Sequence, residues 1–352
     1  MCTAVTFSTE DNLKFLARTM DFSFELNARP IFIPKDFTFN SHIDGSSFKT
    51  MYGFIGAGRD ANGYIFADGL NAHGFGIATL YFEGNAHYGR KKNNLLNLAP
   101  EELVSWALGN VKSVSDFADK IKQLNIVSKK NSIIDAVVPL HWIVSDSTGT
   151  TKCLEITESG IHLYDNQVGV MTNSPEFPWH LTNLSHYNNL QPTEYSPKKY
   201  GSFKRVPDGP GTGLSGLPGD YTATSRFIRA SVLKEYISNA KGEYQGVSAI
   251  QHLLNTVDIP KGVKITNSKT NTSDYTQYKG IMDLTNKVYY MIPYDNFVPK
   301  KVNLDTDLLS KTESVEFNIE NDDQISQVVN LLSNKLDITT DIDKLLSQLG
   351  RE

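Results

Sequence analysis

The amino terminus carries the residue with the clearest chemical potential. Cys2 follows Met1, and removal of a methionine before so small a residue would leave a thiol and a free α-amine on one residue. An α-amine titrates at roughly 7.7 to 8.0, so it can accept the proton of its own side chain, as in amino-terminal threonine nucleophiles. Cys2 is therefore a candidate nucleophile that supplies its own base, although a cysteine can also stand at this position by accident.

Two charged residues lie on the second strand of a predicted amino-terminal hairpin. The β-rich runs 3–8 and 13–20 flank a polar turn at 9–12. A two-residue turn pairs Cys2 with position 19 or 21 and puts Asp21 on its face, whereas a three-residue turn or a bulge brings Arg18 there instead. Asp21 would hold the amine and Arg18 would favour the thiolate. A surface ion pair is the plain alternative.

Three weaker features lie further along the chain. Asn173 could donate its amide to an oxyanion, but asparagine before Ser-Pro is also an ordinary turn residue. Arg226, at the start of a predicted helix, could be an active-site cation or a solvated helix charge. The GxGxxG pattern at 211–216 lies between two prolines rather than between a strand and a helix, so it does not predict a dinucleotide site.

The composition excludes several classes of function. The net charge is -5 over 352 residues, with scattered lysines and arginines, so no nucleic-acid partner is expected. Apolar stretches fall well short of the roughly 20 residues of a membrane span, and no leader pattern is present. Two cysteines without a CxxC pair and eight histidines without HExxH predict neither a metal nor a cofactor. We expect a soluble cytoplasmic protein without a membrane partner.

The order of predicted elements indicates an α+β layered domain over 1–352. Strands are predicted at 64–67, 76–82, within 140–172 and at 288–292, and helices near residue 100, from residue 113, at 225–239 and at 246–257. The segment 191–220 has no clear period and predicts a long ordered excursion or an interface arm. A carboxyl segment at about 319–352 has helical patterns at 324–332 and 342–349, typical of an assembly element or a packed terminal helix.

Four ordered motifs together resemble the choloylglycine hydrolase family, which contains bile salt hydrolases and penicillin V acylases. The similarity runs from Cys2 to about Lys301. Its strongest stretches are Met-Cys-Thr at 1–3 with 17–22, then 169–175 continuing to Trp179 and His180, and 211–220 leading to 225–227. Met-Cys-Thr alone is a weak signal, whereas the ordered set is hard to obtain by chance.

The resemblance implies a four-layer αββα sandwich of the amino-terminal-nucleophile (Ntn) type, assembled as a homotetramer, that hydrolyses a linear amide. A backbone N–H near Tyr81 would share the oxyanion with the Asn173 amide. The family motif implies the following roles: Cys2 as nucleophile, Arg18 and Asp21 as its charged neighbours, Asn173 as oxyanion donor and Arg226 as a further active-site arginine.

Position 81 favours one branch of the family. Bile salt hydrolases generally carry asparagine at the matching place, while penicillin V acylases resemble this chain in carrying tyrosine, here Tyr81. We therefore expect a penicillin V acylase-like enzyme, with Met20, Phe22 and Phe24 in its acyl pocket. The alternatives are a bile salt hydrolase that deconjugates glycine or taurine bile salts and an inactive binding or scaffold protein of the same fold. Acyl-homoserine lactones also remain open as substrates.

Overall fold

A computed structural model of the chain describes residues 1–43, 46–131, 135–296 and 298–319. The strands in chain order are Cys2–Ser8 (β1), Lys14–Phe22 (β2), Arg29–Ile33 (β3), Thr38–Asn40 (β4), Ser47–Lys49 (β5), Phe54–Asp60 (β6), Tyr64–Asn71 (β7), Phe75–Tyr81 (β8), Leu96–Leu98 (β9), Leu124–Ile126 (β10), Leu140–Asp146 (β11), Thr151–Thr157 (β12), Gly160–Asp165 (β13), Val170–Met171 (β14), Lys198–Tyr200 (β15), Phe203–Arg205 (β16), Ile265–Asn267 (β17), Thr272–Ser273 (β18), Tyr275–Asp283 (β19), Val288–Pro293 (β20), Lys300–Asn303 (β21) and Val315–Glu316 (β22). The helices are Leu103–Asn110 (α1), Val114–Lys120 (α2), Phe177–Leu184 (α3), Ala223–Tyr236 (α4), Gly242–Asn255 (α5) and Thr306–Leu309 (α6).

Two antiparallel sheets face each other between layers of helices. One sheet has six strands in the order β14-β1-β2-β19-β20-β21, and the other has eight in the order β13-β12-β11-β8-β7-β6-β3-β22. Helices α4 and α5 pack on the six-stranded sheet, while α1 and α2 pack on the eight-stranded sheet. This arrangement is the predicted four-layer αββα sandwich of an α+β protein.

The hairpin of β1 and β2 has the register that brings Arg18 to the face of Cys2. Cys2 pairs with Met20, so Asp21 lies on the opposite face, and the expectation from a two-residue turn is wrong. The turn has three residues, because the backbone N–H of Thr9 donates to the carbonyl of Leu13 across it. Its last residue, Asn12, has a φ of 65°, a left-handed conformation that asparagine tolerates and that three-residue hairpin turns require.

Strand β2 is buried on both faces because it lies inside the six-stranded sheet. One face meets the other sheet, and the opposite face meets the α4 and α5 layer. Seven consecutive residues from Phe15 to Asp21 are buried. Arg18 and Asp21 therefore lie in different layers of the core, both fully buried, and each needs a partner there because an unpaired buried charge is costly.

The four helices predicted between residues 100 and 257 are present with shifted bounds. A short 3-10 turn over Pro100–Glu102 precedes α1, and Ser113 caps α2 by accepting from the backbone N–H of Asp116 over 3.1 Å. The two later helices begin earlier than predicted, at Ala223 and Gly242. Among the described residues no helix combines the length and apolar character needed to cross a membrane.

The excursion at 191–220 contains an exposed hairpin of β15 and β16 and a 3-10 turn at Thr212–Leu214. Tyr200 and Phe203 of this hairpin are 58% and 67% exposed, unusual values for large apolar side chains. The carboxyl segment at about 319–352, with the helical patterns at 324–332 and 342–349, lies outside the described residues apart from Ile319.

Candidate active site

The sulfur of Cys2 lies against the guanidinium of Arg18 between the two sheets. Nη2 of Arg18 donates to Sγ over 2.7 Å, and Cys2 is only 4% exposed. The same guanidinium donates to the carbonyl oxygens of Thr19 and Thr79, over 3.0 and 3.1 Å. These contacts fix the cation in one orientation, and a cation at this distance stabilises a thiolate and later negative charge on the reacting atoms.

Asp68 on β7 is the buried counter-ion of Arg18, and sequence reasoning missed it. Its Oδ2 lies 3.0 Å from Nη1 of Arg18, and it accepts hydrogen bonds of 2.7 and 2.6 Å from the hydroxyls of Tyr278 and Tyr289. Burial and the adjacent carboxylate raise the pKa of both tyrosines, so they donate as neutral phenols. A Cβ at Gly280 would come within 3.2 Å of Asp68 Oδ1, so glycine there leaves room for the cluster.

The pKa of Arg18 reflects this double pairing. Burial acts to lower it, but electrostatic interactions with Cys2, Tyr278 and Asp68 outweigh burial and raise the pKa above its ordinary value. Arg18 therefore stays a cation while it faces a carboxylate on one side and the sulfur on the other. The signal that could have revealed Asp68 is a lone carboxylate in an otherwise apolar strand pattern, 64–70.

Asn173 and Arg226 surround the main chain of Cys2. Oδ1 of Asn173 accepts from the backbone N–H of Cys2 over 2.9 Å and from Nη2 of Arg226 over 2.7 Å. Nη1 of Arg226 donates to the Cys2 carbonyl over 2.6 Å. The Asn173 amide nitrogen donates to the carbonyl of Tyr81 over 2.7 Å. One amide thus connects β1, α4 and the end of β8.

Asp21 lies on the helix-facing side of β2. Its carboxylate accepts from the hydroxyl of Thr276 over 2.6 Å and from that of Thr19 over 3.0 Å, and it lies 3.9 Å from Nη1 of Arg226. Burial raises the pKa of Asp21, opposed by Arg226 and the amino terminus. Burial likewise lowers the pKa of Arg226, opposed by the charges of Asp21 and Cys2.

The amino terminus itself is buried beside this group. The amine of Met1 donates to the backbone carbonyl of Asp21. Burial lowers the pKa of this amine, while the nearby charges of Cys2 and Asp21 act to raise it. The Met1 amine is thereby biased toward its neutral form.

A buried polar network holds the segment that carries Asn173. His141 lies 3.2 Å from Glu155 through Nδ1 and 2.9 Å from the carbonyl of Thr172 through Nε2, and Nε2 of His180 lies 2.8 Å from the carbonyl of Asn173. Glu155 also accepts from the backbone N–H at the start of α3. Burial lowers the pKa of His180 to about 4, with nearby His141 and Arg226 acting in the same direction and the hydrogen bond to Asn173 opposing. This residue is therefore a neutral support for the Asn173 backbone.

A largely apolar cleft opens beside the sulfur. Its empty volume is ≈ 920 Å³ when the open solvent at its mouth is included. Met20, Phe22 and Phe24 line it as predicted for the acyl pocket. Tyr81 also lines it, with its ring 5.9 Å from that of Phe22 in an edge-on contact.

The structure therefore brings all six predicted site residues into one region. Cys2 and Arg18 share the layer between the sheets, Asp21 and Arg226 lie on the helix side of β1 and β2, and the Asn173 side chain contacts the backbones of Cys2 and Tyr81. In the part of the chain that the structure describes, no three His, Cys, Asp or Glu side chains are grouped so as to hold a metal ion.

The layered fold, with Cys2 beside a buried arginine, is of the Ntn-hydrolase type. Residues 2–340 match the family of linear amide C–N hydrolases called the choloylglycine hydrolase family. The chain belongs to this family and is a hydrolase of linear amides.

The chain is similar to bile acid hydrolases and shares its fold with a penicillin V acylase. A bile salt hydrolase/transferase of Clostridium perfringens is 35% identical over 300 residues, which cover 84% of this chain and 90% of that protein. The crystal structure of the C2A mutant of conjugated bile acid hydrolase from the same organism superimposes with a TM-score of 0.85 at 31% identity, covering 94% of this chain and 100% of that one. Penicillin V acylase of Agrobacterium tumefaciens has a TM-score of 0.70 at 20% identity, covering 90% of both chains, and shares the fold.

We expect Asp68→Asn to lower both stability and the reactivity of Cys2. Removing one charge of a buried ion pair costs roughly 3–5 kcal/mol, and Arg18 would lose the contact that fixes its orientation toward the sulfur. The free energy of unfolding and the rate of Cys2 alkylation by iodoacetamide measure the two effects. Asp283→Asn is the matched control, because Asp283 is also fully buried but is bonded to Asn286 rather than to Arg18. Equal alkylation rates in the two variants would contradict a role of Asp68 at the sulfur.

Acid should destabilise the protein through His180. Its pKa is about 4 in the folded chain and roughly 6.5 when unfolded, so the unfolded chain binds the additional proton and stability falls as the pH is lowered below 6.5. For one such group the loss is about 2.5 kcal/mol between pH 7 and pH 4.5. Chemical denaturation at both pH values should show a smaller loss in His180→Gln. An identical loss in the two proteins would show that His180 does not carry this dependence.

Proposed function

We propose that the chain is a bile salt hydrolase that cleaves the amide between a bile acid and glycine or taurine, with Cys2 as nucleophile. The observation that carries the proposal is the 2.7 Å contact of the Cys2 sulfur with the fully buried Arg18 at the wall of an apolar cleft. The similar proteins at 35% and 31% identity are both bile acid hydrolases by name, which favours this alternative over the penicillin V acylase that Tyr81 predicts.

The proposed reaction starts after Met1 has been removed. The thiol proton of Cys2 passes to its α-amine, and the sulfur attacks the substrate carbonyl, so that a C–S bond forms and the oxygen becomes negative. When the oxyanion collapses, the C–N bond breaks and the ammonium of Cys2 returns the proton to the leaving nitrogen. Water then attacks the thioester while the amine takes its proton, and the free acid leaves with regeneration of the thiol.

Each neighbour of Cys2 has a proposed task in this sequence. Arg18 stabilises the thiolate, and Asp21 holds the ammonium form of the terminus. The amide of Asn173, with a backbone N–H near Tyr81, stabilises the oxyanion. Arg226 orients Asn173 through its 2.7 Å hydrogen bond to Oδ1. The amide nitrogen of Asn173 donates one N–H to the carbonyl of Tyr81, which leaves its second N–H for the oxyanion.

Tyr81 supports a second candidate function, a penicillin V acylase that releases an aryl-acyl group from 6-aminopenicillanic acid. Its ring lines the cleft and packs edge-on against Phe22, and such an aromatic pair can hold an aryl group. Parallel measurement of kcat/KM for glycocholate and penicillin V separates the two functions. We expect glycocholate to be the better substrate, and a large ratio in favour of penicillin V would reverse the assignment.

We expect Cys2→Ala to abolish hydrolysis while the fold is kept, because the replaced side chain is small and forms no disulfide. Cys153→Ala is the matched control, since burial raises the pKa of the Cys153 thiol well above its ordinary value and makes it a poor nucleophile. Turnover and thermal melting of both proteins, after the mature terminus has been checked by intact mass, give the comparison. Substantial turnover by Cys2→Ala, or a loss of turnover in Cys153→Ala alone, would show that Cys2 is not the nucleophile.

A homotetramer and a cytoplasmic location complete the proposal. The exposed aromatic rings of Tyr200 and Phe203 on the excursion hairpin suit an interface between subunits. Both cysteines are unpaired, as is usual in a reducing compartment. The proposal of one Ntn domain over 1–352 has its support in the family match, which extends to residue 340.

A further inference from the structure

We propose that Glu101 is a specificity residue that selects acyl groups bearing a hydroxyl away from the scissile amide. The inference rests on the proposed function and adds a recognition element to the acyl cleft. Glu101 belongs to the 3-10 turn before α1, in the helix layer outside the eight-stranded sheet, yet it lines the same cleft as Cys2. The lining of the cleft thus includes both Cys2 and Glu101, a residue that takes no part in the proposed chemistry.

Only one oxygen of the Glu101 carboxylate has a hydrogen-bond partner among the described residues. Oε1 accepts from the side-chain amide of Asn131 over 2.8 Å and lies 3.8 Å from Nδ1 of His42. Oε2 is buried and has no hydrogen-bond partner among the described residues, and the residue as a whole is 8% exposed. A buried carboxylate oxygen without a donor is costly to keep, and a ligand that supplies a donor would remove this cost.

The adjacent Glu102 shows what a purely structural carboxylate does in this turn. Its oxygens accept from the backbone N–H groups of Ala99 and His42, both over 2.7 Å, and from the hydroxyl of Ser41 over 2.9 Å. Those bonds hold the turn at the head of α1. Glu101 takes no part in those bonds, and it is Glu101 that lines the cleft.

The surroundings favour a neutral donor over a cation. Val138, Leu140 and Phe66 also line the cleft, and transfer of an ammonium into such apolar surroundings carries a desolvation cost that a single carboxylate does not repay reliably. A hydroxyl loses much less hydration and can donate one strong hydrogen bond to a carboxylate. A rigid, mainly apolar acyl group with a hydroxyl substituent fits both requirements.

The test uses glycine conjugates of 5β-cholanoic acid with no hydroxyl or with one hydroxyl at carbon 3, 7 or 12. For the wild type we expect at least one hydroxylated conjugate to exceed the unsubstituted one about tenfold in kcat/KM, equivalent to about 1.4 kcal/mol. In Glu101→Leu this advantage should fall to about twofold or less, because the acceptor is gone. Glu102→Gln is the matched control and should keep the advantage.

A binding arm separates this inference from the proposed function. The affinities of the four free acids for the Cys2→Ala protein, with and without Glu101→Leu, are measured by calorimetry. The Cys2→Ala protein could prefer the hydroxylated acids in binding while the wild type hydrolyses none of the conjugates. That result would support the role of Glu101 and reject the hydrolase proposal for these amides. Absence of a hydroxyl preference in the wild type, or an unchanged preference in Glu101→Leu, would overturn the inference. If the leucine variant does not fold, Glu101→Gln replaces it and should reduce the preference at least about threefold, since the acceptor loses its charge.

Discussion

A single buried cation, the guanidinium of Arg18, is the interaction on which the site depends. It lies between two partners, with the Asp68 carboxylate on one side and the Cys2 sulfur on the other. An arginine with no exposed surface is strongly disfavoured unless its charge is matched. Asp68, backed by two tyrosine hydroxyls, therefore lets the protein keep a fixed positive charge at the sulfur in a layer that is otherwise apolar.

The second constraint is the position of β2 between two packed layers. Because neighbouring residues of a strand point to opposite faces, one strand supplies Arg18 to the layer between the sheets and Asp21 to the layer beneath α4. Arg18 is consequently the charged neighbour of the sulfur, whereas Asp21 is the charged neighbour of the amino terminus. Arg226 and Asn173 connect the two sides through the backbone of Cys2.

Much of the fold and the site was accessible from the sequence, for identifiable reasons. Cys2 was recognisable from its position and Arg18 with Asp21 from the strand that carries them, while Asn173 and Arg226 needed the family resemblance. The register of the hairpin was not accessible, because it depends on the left-handed conformation of Asn12. Partners contributed by distant strands, such as Tyr278 and Tyr289, leave no local pattern, and an unpartnered oxygen such as that of Glu101 is visible only once the cleft is formed.

The three-residue turn at the far end of the first hairpin has a consequence for how such chains can change over time. Seven paired positions separate it from the sulfur, a span of about 20 Å at strand spacing. Insertion or loss of one residue there would exchange the two faces of β2 and send Arg18 to the helices and Asp21 to the sulfur. The number of residues in this exposed turn is thus constrained as tightly as the identity of the reactive residues. Evolution can change it only by an even number of residues if the two faces of β2 are to stay as they are.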